Sequence, residues 1–555
     1  MKKIYFLIFL VLFISSSDTS YTQKIPNVKV SASNLFRYGK GNEITTGLEN
    51  TKEYFEELGD VRLYVNDLLF AVRYEYDDPI EFGTSQKGIT RRFFEYKKDA
   101  FSVRAGNFYQ LFEKGLTLNA FENRGLGFNT QMDGVKLNFK KTIKDVKMNA
   151  TVLGGGLQYN DYLHPERVEN YSIRAGNFDV SPIKLISFGG SYLFTTGQIP
   201  TSGTTTNITA EIFEGNLGFN YKSISLAASY ANKKTITQPN SIYPQSMGPR
   251  GDGAYGTISF TKPGFGVTLD YKNYRFNVVV PNEVSSTSPT KVLPFQQPPT
   301  CIREYSSALL TRNTHIVDFN DEVGFQTEAY YSPKENLTFN VNVSLSSRHY
   351  DYVDVDTTVR TLYQRIDRKD AFLPSYKDNF SPYWEVYAEA EYYYTKNLKI
   401  KVGFGRQVSV AYNNVIPTSS DKERATTIPI EINYDFMKIY GIKLMTEQQW
   451  AYKSLRTTGQ NNFYNEYISL SVSRSPDIIL NGNLELSNDK EDPSRYNPDG
   501  KIVFWGSAEV TYKISTANSV TLSYGSERGG LKCSSGICRY VNPFKGFRLT
   551  VINNF

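Results

Sequence analysis

Residues 383–412 read YWEVYAEAEYYYTKNLKIKVGFGRQVSVAY. In the first half Trp384, Val386, Ala388, Ala390 and Tyr392 alternate with Glu385, Tyr387, Glu389 and Glu391. In the second half Ile400, Val402, Phe404, Val408, Val410 and Tyr412 share one parity, broken by Arg406. A two-residue period marks a strand with one apolar and one polar face, whereas an amphipathic helix repeats its apolar residues three and four apart. The short link TKN between the halves suits a hairpin, so the segment predicts two antiparallel neighbours. Their polar faces carry opposite charge: Glu385, Glu389 and Glu391 on one strand, Lys399 and Lys401 on the other. Opposite charges facing across a strand pair contribute about 0.2–1 kcal/mol each.

The same alternation recurs outward from this hairpin. In LTFNVNVSLSS (337–347) Leu337, Phe339, Val341, Val343 and Leu345 alternate with Thr and Asn or Ser. In EVGFQTEAY (322–330) Val323, Phe325 and Ala329 oppose Glu322, Gln326 and Glu328. Short links such as KKDA (97–100), KPGF (262–265) and SPD (475–477) alternate with long polar stretches such as 39–58, 196–208, 281–319 and 350–382. Tight turns at one end, long loops at the other and strands of about ten residues are the pattern of an outer-membrane barrel. The expected fold is all-β: a single large antiparallel transmembrane β-barrel of about 24 strands, within a range of roughly 20–28, with no plug domain. The alternatives, a propeller or a β-helix, need blade or ladder repeats that the chain does not show.

Composition agrees. Tyr (41), Phe (36) and Gly (40) are abundant among the 555 residues. The mean hydropathy is negative, as expected when every second residue faces water. A net charge of +6 with no basic patch interleaved with stacking aromatics gives no case for nucleic acid. The opening MKKIYFLIFLVLFISSS has two lysines, an apolar core and a small polar region, so residues 1–22 read as an export signal and 23–555 as the barrel. The expected location is a bacterial outer membrane, with outer-membrane lipid as its surroundings.

One internal echo stands out. FSVRAGNF (101–108) and YSIRAGNF (171–178) differ at two conservative positions. If Phe101, Val103 and Ala105, and likewise Tyr171, Ile173 and Ala175, face lipid, then Arg104 and Arg174 point into the lumen. Arginine on the lipid side near the midplane would cost about 2–4 kcal/mol. With Glu322, Glu328, Glu385, Glu389, Glu391, Lys399 and Lys401, the two arginines make a lumen of mixed charge. An ion-selective pore would show one dominant sign, so the mixture suggests an interior partly filled by ion pairs. The glycine-punctuated segment GLTLNAFENRGLGFN (115–129), with Glu122 and Arg124, either continues above the membrane or folds into the barrel. The Pro-rich stretch within 281–319 suits an ordered lid. A barrel this wide needs something to block it, and inward-folded loops are the candidates.

Catalytic and metal chemistry find little support. Cys533 and Cys538, in GGLKCSSGICRYVNPF, read as a small disulfide loop; zinc would need two further ligands, and the chain has three histidines. Cys301 is left over with no assigned role. His164, His315 and His349 fall in or beside expected loops and read as surface residues. No nucleophile motif, metalloprotease motif or phosphate loop occurs, so no catalytic residue, metal or cofactor is expected and the chain is not read as an enzyme.

The chain closes on GFRLTVINNF (546–555). Phe547, Leu549, Val551 and Phe555 share one parity, so the end is a strand that must be paired. Its expected partner is the first strand, near residues 27–38. Three stretches carry a resemblance: RAGNFYQLFEKGLTLNAFENRGLG (104–127), REYSSALLTRNTHIVDFNDEVGFQTEAYYSP (303–333) and GSERGGLKCSSGICRYVNPFKGFRLTVINNF (525–555). Together they resemble an uncharacterised, domain-of-unknown-function family of Bacteroidota outer-membrane barrels. The resemblance implies the location and no reaction. The final strand likewise resembles the closing strands that barrel-assembly machinery recognises by a terminal aromatic residue. Two functions are then expected: a passive, porin-like conduit constricted by loops, or a scaffolding barrel with a closed lumen and protein partners in the envelope.

Overall fold

The computed structural model describes residues 27–45, 48–160, 168–201, 204–237, 251–276, 293–319, 321–354, 363–368, 370–412, 420–495, 497–534 and 536–555. The expected signal segment 1–22 and His164 lie outside the described residues. Among the described residues, 24 antiparallel strands form one closed sheet. Each pairs with its sequence neighbours, and the sheet closes where the first strand, Val28–Thr45, meets the last, Phe544–Asn554.

Faces alternate as the side chains demand. On the hairpin Tyr383–Thr395 and Leu398–Tyr412, Val386, Tyr392, Val402 and Phe404 are exposed on the outside, while Glu385 and Gln407 are buried within. Lys399 reaches Glu391 (3.5 Å) and Lys401 reaches Glu389 (3.7 Å), so the expected charge rows meet on the diagonal. Both lysines also approach Glu431 on the next strand.

The expected fold needs correction on two counts. First, strands are not limited to about ten residues: Val28–Thr45 and Leu48–Val65 each run for 18. The stretch 39–58, read as a loop because both its faces are polar, is mostly strand. There the hairpin rises beyond the apolar zone and is laced by Lys52–Glu43 (2.6 Å) and Lys40–Glu53 (3.0 Å). Residues 196–201 and 204–208 likewise belong to the strands Ile186–Thr201 and Thr204–Tyr221.

Second, the seam sits higher than expected. Ser33 lies opposite Asn554 and Glu43 opposite Phe544. Phe547, Leu549 and Val551 share the outer face with Phe36 and Tyr38, since Arg548 on the other parity bonds Glu81 inside. Phe555 extends the ladder: its N–H donates to Ala32 O (2.8 Å) and its carbonyl accepts from Ala32 N–H (3.1 Å).

As expected for so wide a barrel, no separate plug domain is found among the described residues; the plug is made of two inward-folded segments of the barrel chain itself. Residues 109–131 and 293–319 leave the wall and fill the lumen. Their contacts run round the wall from Leu48–Val65 to Ile478–Ser487.

Candidate functional site

The plug has an apolar half and a polar half. In the apolar half, Phe112, Leu116 and Leu118 of the first inward segment pack with Leu293 and Phe295 of the second. The wall facing them is apolar too, with Ile173, Ala175, Leu193, Ile208 and Ile212 all buried. The two segments are knitted by Asn119 N–H to Phe295 O (2.7 Å), Asn119 Nδ2 to Gln297 O (3.0 Å) and Gln296 Nε2 to Leu116 O (2.6 Å). Gly115 turns the chain at φ +82°, and a Cβ there would lie 2.5 Å from Gln297 O. Neither the left-handed backbone nor the contact admits another residue without strain.

This apolar wall overturns one sequence expectation. Tyr171, Ile173 and Ala175 face the plug, so Arg174 points outward. Arg104 lies on the inner face, with its guanidinium on Glu95. The echoed octapeptides sit on strands running in opposite directions, and only the second turns its Tyr, Ile and Ala parity onto the apolar plug. Arg174 stands about ten residues above the turn to Ile186, roughly 25 Å along the axis at 3.3 Å per residue and a tilt of about 40°. At that height an outward arginine reaches the membrane interface, where its cost falls to about 0–1 kcal/mol.

The polar half is held by ions. Glu122 receives Arg73 (3.0 Å) and Arg91 (2.9 Å), while Arg124 reaches Glu75 (2.9 Å) and Glu56 (3.6 Å). Burial works against the Glu122 charge, but Arg73 and Arg91 hold its carboxyl below the usual carboxylate range. In the second segment Tyr305 Oη donates to Glu385 (2.7 Å), and Arg303 approaches Glu389 (3.5 Å). Asn342 also donates to Glu385 (2.8 Å). The short helix Ala308–Thr311 is capped from the wall: Glu447 accepts from Ser307 Oγ (2.6 Å), Ala308 N–H (2.9 Å) and Leu309 N–H (2.8 Å). A buried carboxylate suits these donors because the first turn of a helix leaves its N–H groups without internal partners. Arg312 ends the crossing on Glu485 (2.8 Å). Glu328 lies lower, bonded by Gln326 (3.0 Å).

His315 and His349 are not surface residues. His315 stacks on Tyr383 and bonds Glu322 (3.0 Å), which also pairs with Lys272. His349 is buried between Asp321 (2.9 Å) and Asn273 (3.0 Å). Glu322 draws His315 into the lumen, whereas His349 is buried beside Asp321 and Asn273, on the parity that faces away from the plug; neither carboxylate could be placed beside its imidazole by single-residue reading. Cys533 and Cys538 are bridged, in the hairpin Gly530–Ser534 and Ile537–Val541. Gly536 of that hairpin lies against Phe319 and Thr300 of the plug. Cys301 is buried in the plug, and burial pushes its thiol up to about 12.

Three cavities flank this crossing in series. The outer one, about 800 Å³, is lined among others by Thr314, His315, Gln407, Phe463 and Arg528. The inner one, about 610 Å³, is lined by Asp270, Ile302, Arg303, Glu304 and Glu328. Between them a neck of about 30 Å³ shares Thr314 and His315 with the first and Ile302, Arg303 and Glu304 with the second. The disulfide pair lines the same neck. Among the described residues no group of three or more His, Cys, Asp or Glu side chains is placed to hold a metal ion.

The whole chain, residues 1–555, matches the family of unknown function DUF6029. The chain belongs to this family. No curated protein matches the DUF6029 chain. Among solved structures, the siderophore receptor PirA from Pseudomonas aeruginosa is similar at 8% identity, with 96% of this chain and 81% of that chain covered and a TM-score of 0.47. The copper transporter OprC is similar at 9% identity, covering 96% and 81% with a TM-score of 0.44. The ferric citrate transporter FecA, in its unliganded form, is similar at 10% identity, covering 96% and 80% with a TM-score of 0.41.

Sequence reasoning on this DUF6029 chain missed the wall anchors Glu56, Arg73, Glu75, Arg91 and Glu447. Their signal is an ionisable or polar residue on the inward parity of a strand. The partner of each lies far along the chain, so the pairing itself leaves no local trace.

Proposed function

We propose that this chain is a conduit of the bacterial outer membrane, closed at rest by its own inward segments, rather than an enzyme. The observation that carries the reading is the series of three cavities. An outer vestibule of mixed lining and a polar inner one meet at a neck with room for about two or three waters, since a single water needs roughly 10–15 Å³. A solid scaffold has no need of vestibules on both sides of one thin septum. Solute passage requires residues 303–315 to shift, and the ion pairs and caps that hold them set the resting state. Residues 1–22 serve as the export leader in this reading, and Phe555 as the signal to barrel-assembly machinery.

The test is conductance in planar bilayers. Wild type is expected to show rare, small openings. A variant in which residues 303–315 are replaced by a Gly/Ser linker is expected to show stable, large steps. If the linker variant inserts and stays silent, the lumen is closed by more than this crossing, and the scaffolding role with envelope partners takes the conduit's place.

A further inference from the structure

Three neighbouring strands, Phe265–Arg275, Glu322–Lys334 and Leu337–Ser347, present outward rows that can be followed across the wall. Tyr271, Phe325 and Leu345 are in register, and above them Asn273, Val323 and Ser347. These rows face outward because the alternate residues, among them Lys272 and Asn342, bond the plug at Thr300 O and Tyr305 Oη. Lower on the same outward parity, Leu269, Tyr331 and Val341 are 40%, 53% and 40% exposed, as a lipid-facing surface should be. The upper rows are not: Val323, Leu345 and Ser347 are buried.

The cover includes residues 371–376, which lie against the outside of the wall rather than over its mouth. Asn273 Nδ2 donates to Ala371 O (2.9 Å), and Tyr271 Oη donates to Phe372 O (2.8 Å). Ser375 N–H donates to Ser347 Oγ (2.8 Å). With its backbone tied to the wall, the stretch turns Phe372, Leu373 and Tyr376 away from it, 75%, 60% and 69% exposed.

Height decides what they meet. Tyr271 stands about seven residues above the turn preceding Phe265, roughly 18 Å along the axis at 3.3 Å per residue and a tilt of about 40°. An apolar band about 25 Å tall takes in that level. The exposed triad therefore continues the row of Leu269 and Val341 into the upper part of the band. Two apolar side chains and a tyrosine, which keeps its hydroxyl near the headgroups, suit that boundary.

We propose that residues 371–376 are a membrane-anchoring loop, laid down the outer wall so that Phe372, Leu373 and Tyr376 insert among the acyl chains of the outer leaflet. The proposal rests on the membrane reading above. It gives the barrel a fixed depth and rotation on the side where the plug's second segment leaves the wall.

The test uses the full-length protein in liposomes whose phospholipids carry a nitroxide at acyl carbon 5. Phe372→Cys and Leu373→Cys are each labelled with an environment-sensitive fluorophore, with Leu269→Cys as the lipid-wall control and Lys501→Cys as the outer-loop control. Heat-modifiable mobility on gels verifies that each variant is folded. Both loop sites are expected to be quenched at least twofold, like Leu269→Cys, and to resist aqueous iodide. If they behave like Lys501→Cys, quenched by iodide and not by the nitroxide, the loop faces water or a protein partner and the proposal is wrong. If Leu269→Cys also escapes the nitroxide, the membrane reading falls and this inference with it.

Discussion

Glu447, on the wall strand Tyr440–Lys453, accepts a hydrogen bond from the Ser307 hydroxyl at 2.6 Å and caps the helix that crosses the lumen. One buried side chain thereby holds three plug donors. Glu447→Ala removes the acceptor and leaves those donors to find water, at a cost of about 1–3 kcal/mol for each one left unmet. Bilayer recordings should show frequent openings in this variant and rare ones in wild type, while the heat-modifiable barrel itself persists.

Cys301 offers a direct view of plug release. Cys533 and Cys538 are bridged, which leaves Cys301 as the one thiol in the chain. Burial and a thiol pushed up to about 12 keep it unreactive at neutral pH. Maleimide should fail to label folded wild type over hours and label it fully once the barrel is unfolded. In Glu447→Ala, labelling of the still-folded barrel should be at least tenfold faster than in wild type.

Gly115→Ala places a methyl 2.5 Å from Gln297 O at a φ of +82°. Strain of this kind costs about 1–3 kcal/mol. The expected result is a lower apparent unfolding midpoint together with faster Cys301 labelling, because the strain falls where the two inward segments meet.

Glu113 makes the plug sensitive to alkali. Burial, then the neighbouring Asp179 carboxylate, pushes Glu113 up to about 8, against about 4.3 in an unfolded chain. The folded state thus holds this proton more tightly. That contribution is complete below about pH 4 and is lost as pH rises through about 8. Thermal midpoints should fall between pH 6 and pH 9 in wild type, and the fall should shrink in Glu113→Gln. An unchanged slope in that variant would remove Glu113 as the cause.

The hairpin 383–412 was readable because each residue's environment is set by its own strand: lipid outside, water and ions inside. Where the plug substitutes for water the rule inverts. A polar lumen would turn Arg174 inward, but the plug's Leu116 and Leu118 make the lumen apolar there. The same dependence hid the setting of His315, whose partner Glu322 is close in sequence but meets it only because the segment folds back into the barrel. Residues 115–129 and the Pro-rich part of 281–319 were visible as candidates for an inward fold. The contact between Ser307 and Glu447 was not, being 140 residues long in sequence. Polarity on both faces of 39–58 signalled exposure above the membrane, which a long strand and a loop share.

The closed sheet around the plug also limits how the plug can enter. Residues 109–131 and 293–319 touch wall strands from near the start of the barrel to near its end, and the hairpin that lines their neck lies between the last two strands. Once Val28–Thr45 and Phe544–Asn554 have zipped together, no lateral gap remains through which a segment of that size could enter. Once the seam has formed, the plug segments can reach their places only through the barrel's open mouth. A chain that zips with the plug in place is sealed at once, and one that zips empty stays leaky until its loops fold in from the mouth.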